Sequence, residues 1–400
     1  MSKLQMKVLI GLLLALSMTS FELYSQIKNG YEIKKRVEAE EGSAKPSDKK
    51  EGDKIELGII LTLSGVTSAK DNGALLGAEL AVEKLNSEGG ALGKDFSIVT
   101  FDNRGTQLGS RDAAKKAVER KVAGVIGPER SSYALSAAPV LQENKIPTIT
   151  HLATHKDVTR IGDYIFRACY TDEYQGAELA KHAIDTMGTS KAVVLRMVDE
   201  DYSLELSRYF KDNYEALGGE VVWVGDYKSK DIEYSDIVLK AKEAKPDLIF
   251  IAGYTKDVGL IVRKARDLEL DARFLSGDGI ESTAYNFGGP AVNGLRSATH
   301  WHEDVDSKES REFKAKYVQE FKKSAVDGES VALSYDATMI IGEAIRRSKS
   351  LDGEAVKREI SSTDNFKGVT GVYSFNQNGD PLGKKMIITE FKNGKREVVK

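Results

Sequence analysis

Four hundred residues exceed what one hydrophobic core serves, so two or more domains are expected. Hydrophobic content of 41% with 30% charged residues describes a water-compatible globular chain. A net charge of −3 argues against a nucleic-acid surface, and only seven prolines exclude Pro-rich linkers.

The chain opens on a targeting signal, residues 1–25. Lys3 and Lys7 precede the apolar run Val8 to Met18. That run is about half the roughly 20 apolar residues of a spanning helix, so it reads as a secretory signal peptide. Cleavage after Ser20 or Ser25 fits; an uncleaved anchor is the alternative. No Cys follows the run, which argues against a lipid anchor. Residues 26–53, rich in Lys, Glu, Asp, Ser and Gly, bury too little apolar surface to order and read as a charged, disordered tether.

Folding begins at the apolar strand Ile55–Leu61. A helix is expected from Ala74 to Asn86, stopped by Gly89-Gly90. Strand Phe96–Phe101, helix Ser110–Lys121, strand Gly124–Ile126, helix Ser131–Glu143 and strand Ile146–Thr150 follow. Such alternation predicts a parallel sheet with helices on both faces. The rhythm restarts with helix Glu173–Met187 and strand Lys191–Val198. Helices Leu204–Leu217, Tyr234–Ala244 and Lys256–Leu268 then alternate with strands Val221–Gly225, Asp247–Ala252 and Ala272–Ser276. After about residue 300 come helices Ser310–Lys323, Val331–Ser348 and Glu354–Ser361, then strands Gly371–Phe375 and Lys385–Phe391. Cys169, the only cysteine, sits near a strand end and reads as a buried small hydrophobe.

Ligands of open α/β sheets bind beyond the carboxyl ends of strands. Ser131 starts a helix there; its hydroxyl and the unpaired N–H groups suit a carboxylate, though an ordinary helix-capping serine fits equally. Thr154 closes Thr150-His151-Leu152-Ala153-Thr154 and offers a hydroxyl beside free backbone; capping of His155–Val158 is the alternative. Asp278, between Gly277 and Gly279, suits an ammonium, or is a turn aspartate. Tyr254 ends another strand. Catalytic patterns are missing: His151 and His155 are spaced i, i+4, but Leu152 stands where a zinc protease needs Glu, and His300 and His302 have no evident third ligand.

Several stretches resemble, in order, the periplasmic leucine/isoleucine/valine-binding family, the type I receptors of ABC importers. They are Leu63-Ser64-Gly65, Gly77-Ala78-Glu79, Asn86-Ser87-Glu88-Gly89-Gly90, Phe101-Asp102-Asn103 and Val125-Ile126-Gly127 with Ser131-Ser132. Ile146-Pro147, Phe166-Arg167, Asp172 with Gln175-Gly176, Tyr335-Asp336-Ala337 and Gly371 with Phe375 continue the series. The resemblance runs from about Lys54 to Lys400. It implies an α/β fold of two Rossmann-like lobes with parallel sheets, joined by three crossover strands: residues 54–170 with 300–384, and 171–299 with 385–400.

The resemblance also implies a role. Ser131 and Thr154, with the backbone of Leu152 and Ala153, would hold an amino acid's carboxylate and amino group. Tyr254 and Asp278 would complete the grip on closure, and Tyr202, ahead of the helix Leu204–Leu217, would line the pocket. Lys70 falls where the family often has an aromatic residue, Arg130 and Gly105 where it can have a disulfide, and Asp278 where Glu is frequent. Lys70 and Arg130 point toward a polar or acidic ligand rather than a purely aliphatic one; the alternative has Lys70 facing solvent or pairing with Asp71 or Glu129. The expected protein is thus a monomeric periplasmic receptor, not an enzyme. It would take a branched-chain or polar amino acid or related small molecule and deliver it to an ABC permease, with no cofactor, metal or nucleic acid. A sensing subunit, or an enzyme using the same cleft, are the other readings.

Overall fold

The computed structural model describes residues 54–64, 69–321 and 327–399, with side chains of the first helix described from residue 73. The expected signal segment, the tether, Gly65 and the side chain of Lys70 therefore lie outside the described residues.

A first sheet is built from β1 (Lys54–Leu61), β2 (Asp95–Asp102), β3 (Val125–Ile126), β4 (Thr148–Thr150) and β5 (Ile165–Arg167). Its order is β2-β1-β3-β4-β5, all parallel. β1 is buried along nearly its whole length, which is why it reads as a continuous apolar run rather than an alternating one. Helices α1 (Ala69–Ser87), α2 (Gln107–Arg120) and α3 (Ser131–Glu143) connect the strands. α2 starts three residues before the expected Ser110, because Thr106 caps it by accepting from Gly109 N.

The second sheet contains β6 (Lys191–Met197), β7 (Glu220–Tyr227), β8 (Leu248–Ala252), β9 (Arg273–Ser276) and β10 (Arg296–Thr299), mutually parallel. Its helices are α4 (Asp172–Lys181), α5 (Asp201–Ala216), α6 (Ser235–Glu243), α7 (Thr255–Asp267) and the short α8 (Ala284–Gly288). α4 passes at His182 into a π turn to Thr186, so the expected helix to Met187 is α-helical only in its first part.

Helices α9 (Lys308–Phe321), α10 (Glu329–Ser348) and α11 (Gly353–Ser361) follow, then a separate hairpin of β11 (Phe366–Gly368) and β12 (Gly371–Tyr373). The chain then adds β13 (Ile387–Lys392) antiparallel to β10 and β14 (Lys395–Val398) antiparallel to β13, giving the second sheet the order β14-β13-β10-β9-β8-β6-β7.

α10 packs back onto the first sheet's helix α1. Ser334 Oγ donates to Ala74 O at 2.6 Å, and Arg346 Nε to Gly90 O at 2.9 Å. The two helices touch where Gly77 leaves no side chain: a Cβ there would run into the Val331 carbonyl. Gly77→Ala is expected to cost about 1–3 kcal/mol, read as a lowered urea midpoint, because backbone must move. An unchanged midpoint would mean that this crossing is loose.

Candidate functional site

The first sheet contributes two strand ends. After β3 the chain turns through Gly127-Pro128 to Arg130, whose extended backbone caps α3 without a side-chain bond. Ser131, the first residue of α3, is buried, and its hydroxyl accepts from His155 N at 3.1 Å. After β4 run Leu152, Ala153 and Thr154, all buried. Their path is held by Arg167, which is fully buried. It donates to Ala153 O (2.9 Å), His155 O (2.9 Å), Lys156 O (3.2 Å) and Thr159 Oγ1 (3.1 Å), and its Nε lies 2.7 Å from Asp380 Oδ1. Thr154 does not cap the following turn. His155 does, its Nδ1 accepting from Asp157 N at 3.2 Å.

The second sheet contributes Asp278, just beyond β9, and Tyr254, just beyond β8. Asp278 N donates to Gln175 Oε1 at 3.0 Å, and Gln175 Nε2 returns a bond to Oδ1 at 3.1 Å. The second carboxyl oxygen lies 2.8 Å from His300 Nε2, and the His300 ring stacks on Tyr170 with centroids 3.7 Å apart. Tyr202 is corrected from a position ahead of a helix to the first turn of α5. There it packs on Tyr254 (5.4 Å between centroids), and its hydroxyl accepts from Gly279 N at 3.3 Å. Gly277 makes this convergence possible, since a Cβ would collide with Tyr202 Oη and the Gln175 amide. Burial holds the phenols of Tyr202 and Tyr254 well above the usual tyrosine range, so both act as neutral hydrogen-bonding groups.

The two sides are bridged. The Arg130 guanidinium sits 4.0 Å above the Tyr254 ring and 3.6 Å from Glu200 Oε1. Ser132 Oγ donates to Glu200 Oε2 at 3.0 Å and accepts from Asp201 N at 3.1 Å. On the other flank Glu205 Oε2 accepts from Lys156 N at 2.7 Å and lies 3.3 Å from His155 Nδ1. Burial pushes both glutamates up and His155 down, so each of these three groups is shifted toward its neutral form. Arg130→Ala removes the bridge to Glu200 and Tyr254 together. Small-angle scattering of the purified variant should show a larger radius of gyration than wild type; an identical radius would mean that this bridge does not hold the two sides together.

Ser131, Leu152, Ala153 and Thr154 thus gather on one side and Tyr202, Tyr254 and Asp278 on the other, with Arg130 between them. Gln175, His300, Tyr170, Glu200 and Arg167 complete the surroundings, and no residue pattern assigned them that place. Gln175 and Arg167 stood only among the stretches of resemblance, and His300 only as a metal-ligand candidate. His151 follows β4 while His155 caps the next turn, so they share no helix. Among the described residues no cluster of His, Cys, Asp and Glu could hold a metal ion. Cys169 is a buried free thiol, pushed up to about 12 by burial. No helix among the described residues is long and apolar enough to cross a membrane.

Comparison with known proteins places this chain in a family. The profile of the periplasmic binding proteins matches residues 54–396. The Leu/Ile/Val-binding protein BraC3 of Rhizobium johnstonii is 26% identical over 347 residues, covering 85% of this chain and 92% of that protein. Among solved structures, the leucine binding protein LivK of Thermotoga maritima is 32% identical with a TM-score of 0.81, covering 86% of this chain and 98% of that one. The branched-chain amino acid transporter substrate binding protein LivJ of Streptococcus pneumoniae, in complex with isoleucine, is 25% identical with a TM-score of 0.80. It covers 86% of this chain and 99% of its own. These relatives are solute-binding proteins, not enzymes, and share the α/β architecture of two sheet-containing lobes. The chain belongs to the periplasmic binding protein family.

Proposed function

We propose that this protein is an exported receptor that captures an amino acid, or a related molecule with an ammonium group, between two closing lobes and hands it to an ABC-type permease. One observation carries the reading. Buried hydroxyls at a helix start and past a strand end, Ser131 and Thr154, are matched by a buried carboxylate, Asp278, past a strand end of the other sheet. The helix start suits the ligand's carboxylate, and Asp278 suits its ammonium. The relatives named for leucine, isoleucine and valine support the same ligand class.

The lobes in this reading are residues 54–170 with 300–384, and 171–299 with 385–400. The chain crosses between them near 170, 300 and 385, and hinge bending at these crossings moves one half of the grip onto the other. Ligand favours the closed form because Tyr254, Tyr202 and Asp278 add contacts only there. The receptor acts as a monomer in the periplasm.

A thermal-shift panel of L-amino acids tests this. At least one should raise the unfolding temperature, since binding to the folded state stabilises it, and its N-acetyl derivative should not. No shift with any of them, or an equal shift with the acetylated form, would overturn the assigned grip.

A further inference from the structure

Asp172 opens α4 and is fully buried. Its N–H donates to Thr154 O at 3.0 Å, which sets its carboxyl beside the Thr154 hydroxyl. Yet neither Asp172 oxygen nor Thr154 Oγ1 makes a well-formed hydrogen bond to protein. Tyr170 Oη and His300 Nδ1, in the group around Asp278, are equally without one. All four side chains are at most 3% exposed. Buried polar groups in folded proteins are nearly always bonded, so four such side chains, Asp172 among them, mark a place built for a polar guest.

We propose that Asp172 is a second carboxylate of the ammonium site, shares the ligand's positive charge with Asp278, and gives its proton to solvent when that charge enters. This rests on the amino-acid reading above and extends it. The groups facing Asp172 agree. Burial, then the carboxylates of Asp278 and Glu205, push it well above the usual carboxylate range; the Thr154 hydroxyl and the Arg167 guanidinium pull the other way without prevailing. Cys169 and Tyr170, its chain neighbours, are themselves held neutral by burial. Two carboxylates in a poorly solvated space do not both ionise unless a cation joins them. The ligand's ammonium is that cation. No bond of the ligand changes; the Asp172 O–H proton alone leaves.

Isothermal titration of the full-length protein with L-leucine, L-glutamine and L-glutamate, in phosphate and in Tris at pH 7, reads the proton directly. For whichever probe binds, the difference in heat between buffers should correspond to about one proton released per ligand. Asp172→Asn should bind the same probe roughly tenfold or more weakly and release none. A thermal scan establishes that the variant is folded, and the wild-type proton count stands without it. Binding to wild type without proton release, or equal release by the variant, would overturn this inference and leave the receptor reading intact. Failure of every probe to bind wild type would overturn both.

Discussion

Asp278→Asn should weaken binding of the cognate amino acid by roughly a hundredfold or more in calorimetry, while leaving the unfolding temperature of the free protein nearly unchanged. Removing one partner of a buried charge pair costs about 3–5 kcal/mol, because the other charge is left without its counterion in a poorly solvated site. On the proposed grip that charge is the ligand's ammonium, which would keep only Asp172 beside it. The free protein suffers less. The Gln175 amide and the His300 ring, which hold the carboxyl at 3.1 and 2.8 Å, can still bond an asparagine side chain. Asp278→Glu should keep the charge but push its carboxyl out of that clamp, giving an intermediate loss. An affinity for the Asn variant within threefold of wild type would show that the ammonium is held elsewhere.

Asp380→Ala is expected to produce the largest loss of stability, about 3–5 kcal/mol by urea unfolding. Its partner Arg167 is fully buried, and with Asp380 gone its guanidinium is left hydrogen-bonded only to backbone carbonyls and the Thr159 hydroxyl. Asp380 also accepts from Thr159 Oγ1 at 2.9 Å, so one substitution removes a contact from the segment between β4 and β5 and another from the end of β5. The carboxyl is 18% exposed, so water reaches part of the vacated space and the lower end of the range is the more reasonable. The same segment carries Leu152 to Thr154, and ligand affinity should fall with stability. A loss below about 1 kcal/mol would mean that Arg167 is satisfied by carbonyls alone.

The alternation of apolar runs and helical spacing showed both sheets, because buried parallel strands leave a strong local signal. β10 was not legible: Arg296 to Thr299 is short and polar, and its place in the sheet comes from its neighbours β9 and β13. The β13–β14 hairpin did have a signal, Asn393-Gly394, with both residues at positive φ. Ser131, Tyr254 and Asp278 could be singled out as candidates because ligands of open α/β sheets bind beyond strand ends, and the structure does put all three just past strands. Their supports could not. His300 reaches Asp278 across 22 positions and Gln175 across 103, and nothing local in the sequence couples such pairs.

The Ser132–Glu200–Asp201 junction bears on time rather than strength. α3 and α5 both begin there, so two positive helix ends approach one another with the Glu200 carboxyl between them. Opening the cleft would leave Glu200 beside only one of these ends, and water must resolvate the rest before the motion is complete. That rehydration is an activation cost, and it slows the escape of a captured molecule more than it deepens the affinity. In the proposed receptor, how long cargo stays would therefore depend partly on a carboxylate that stands outside the amino-acid grip.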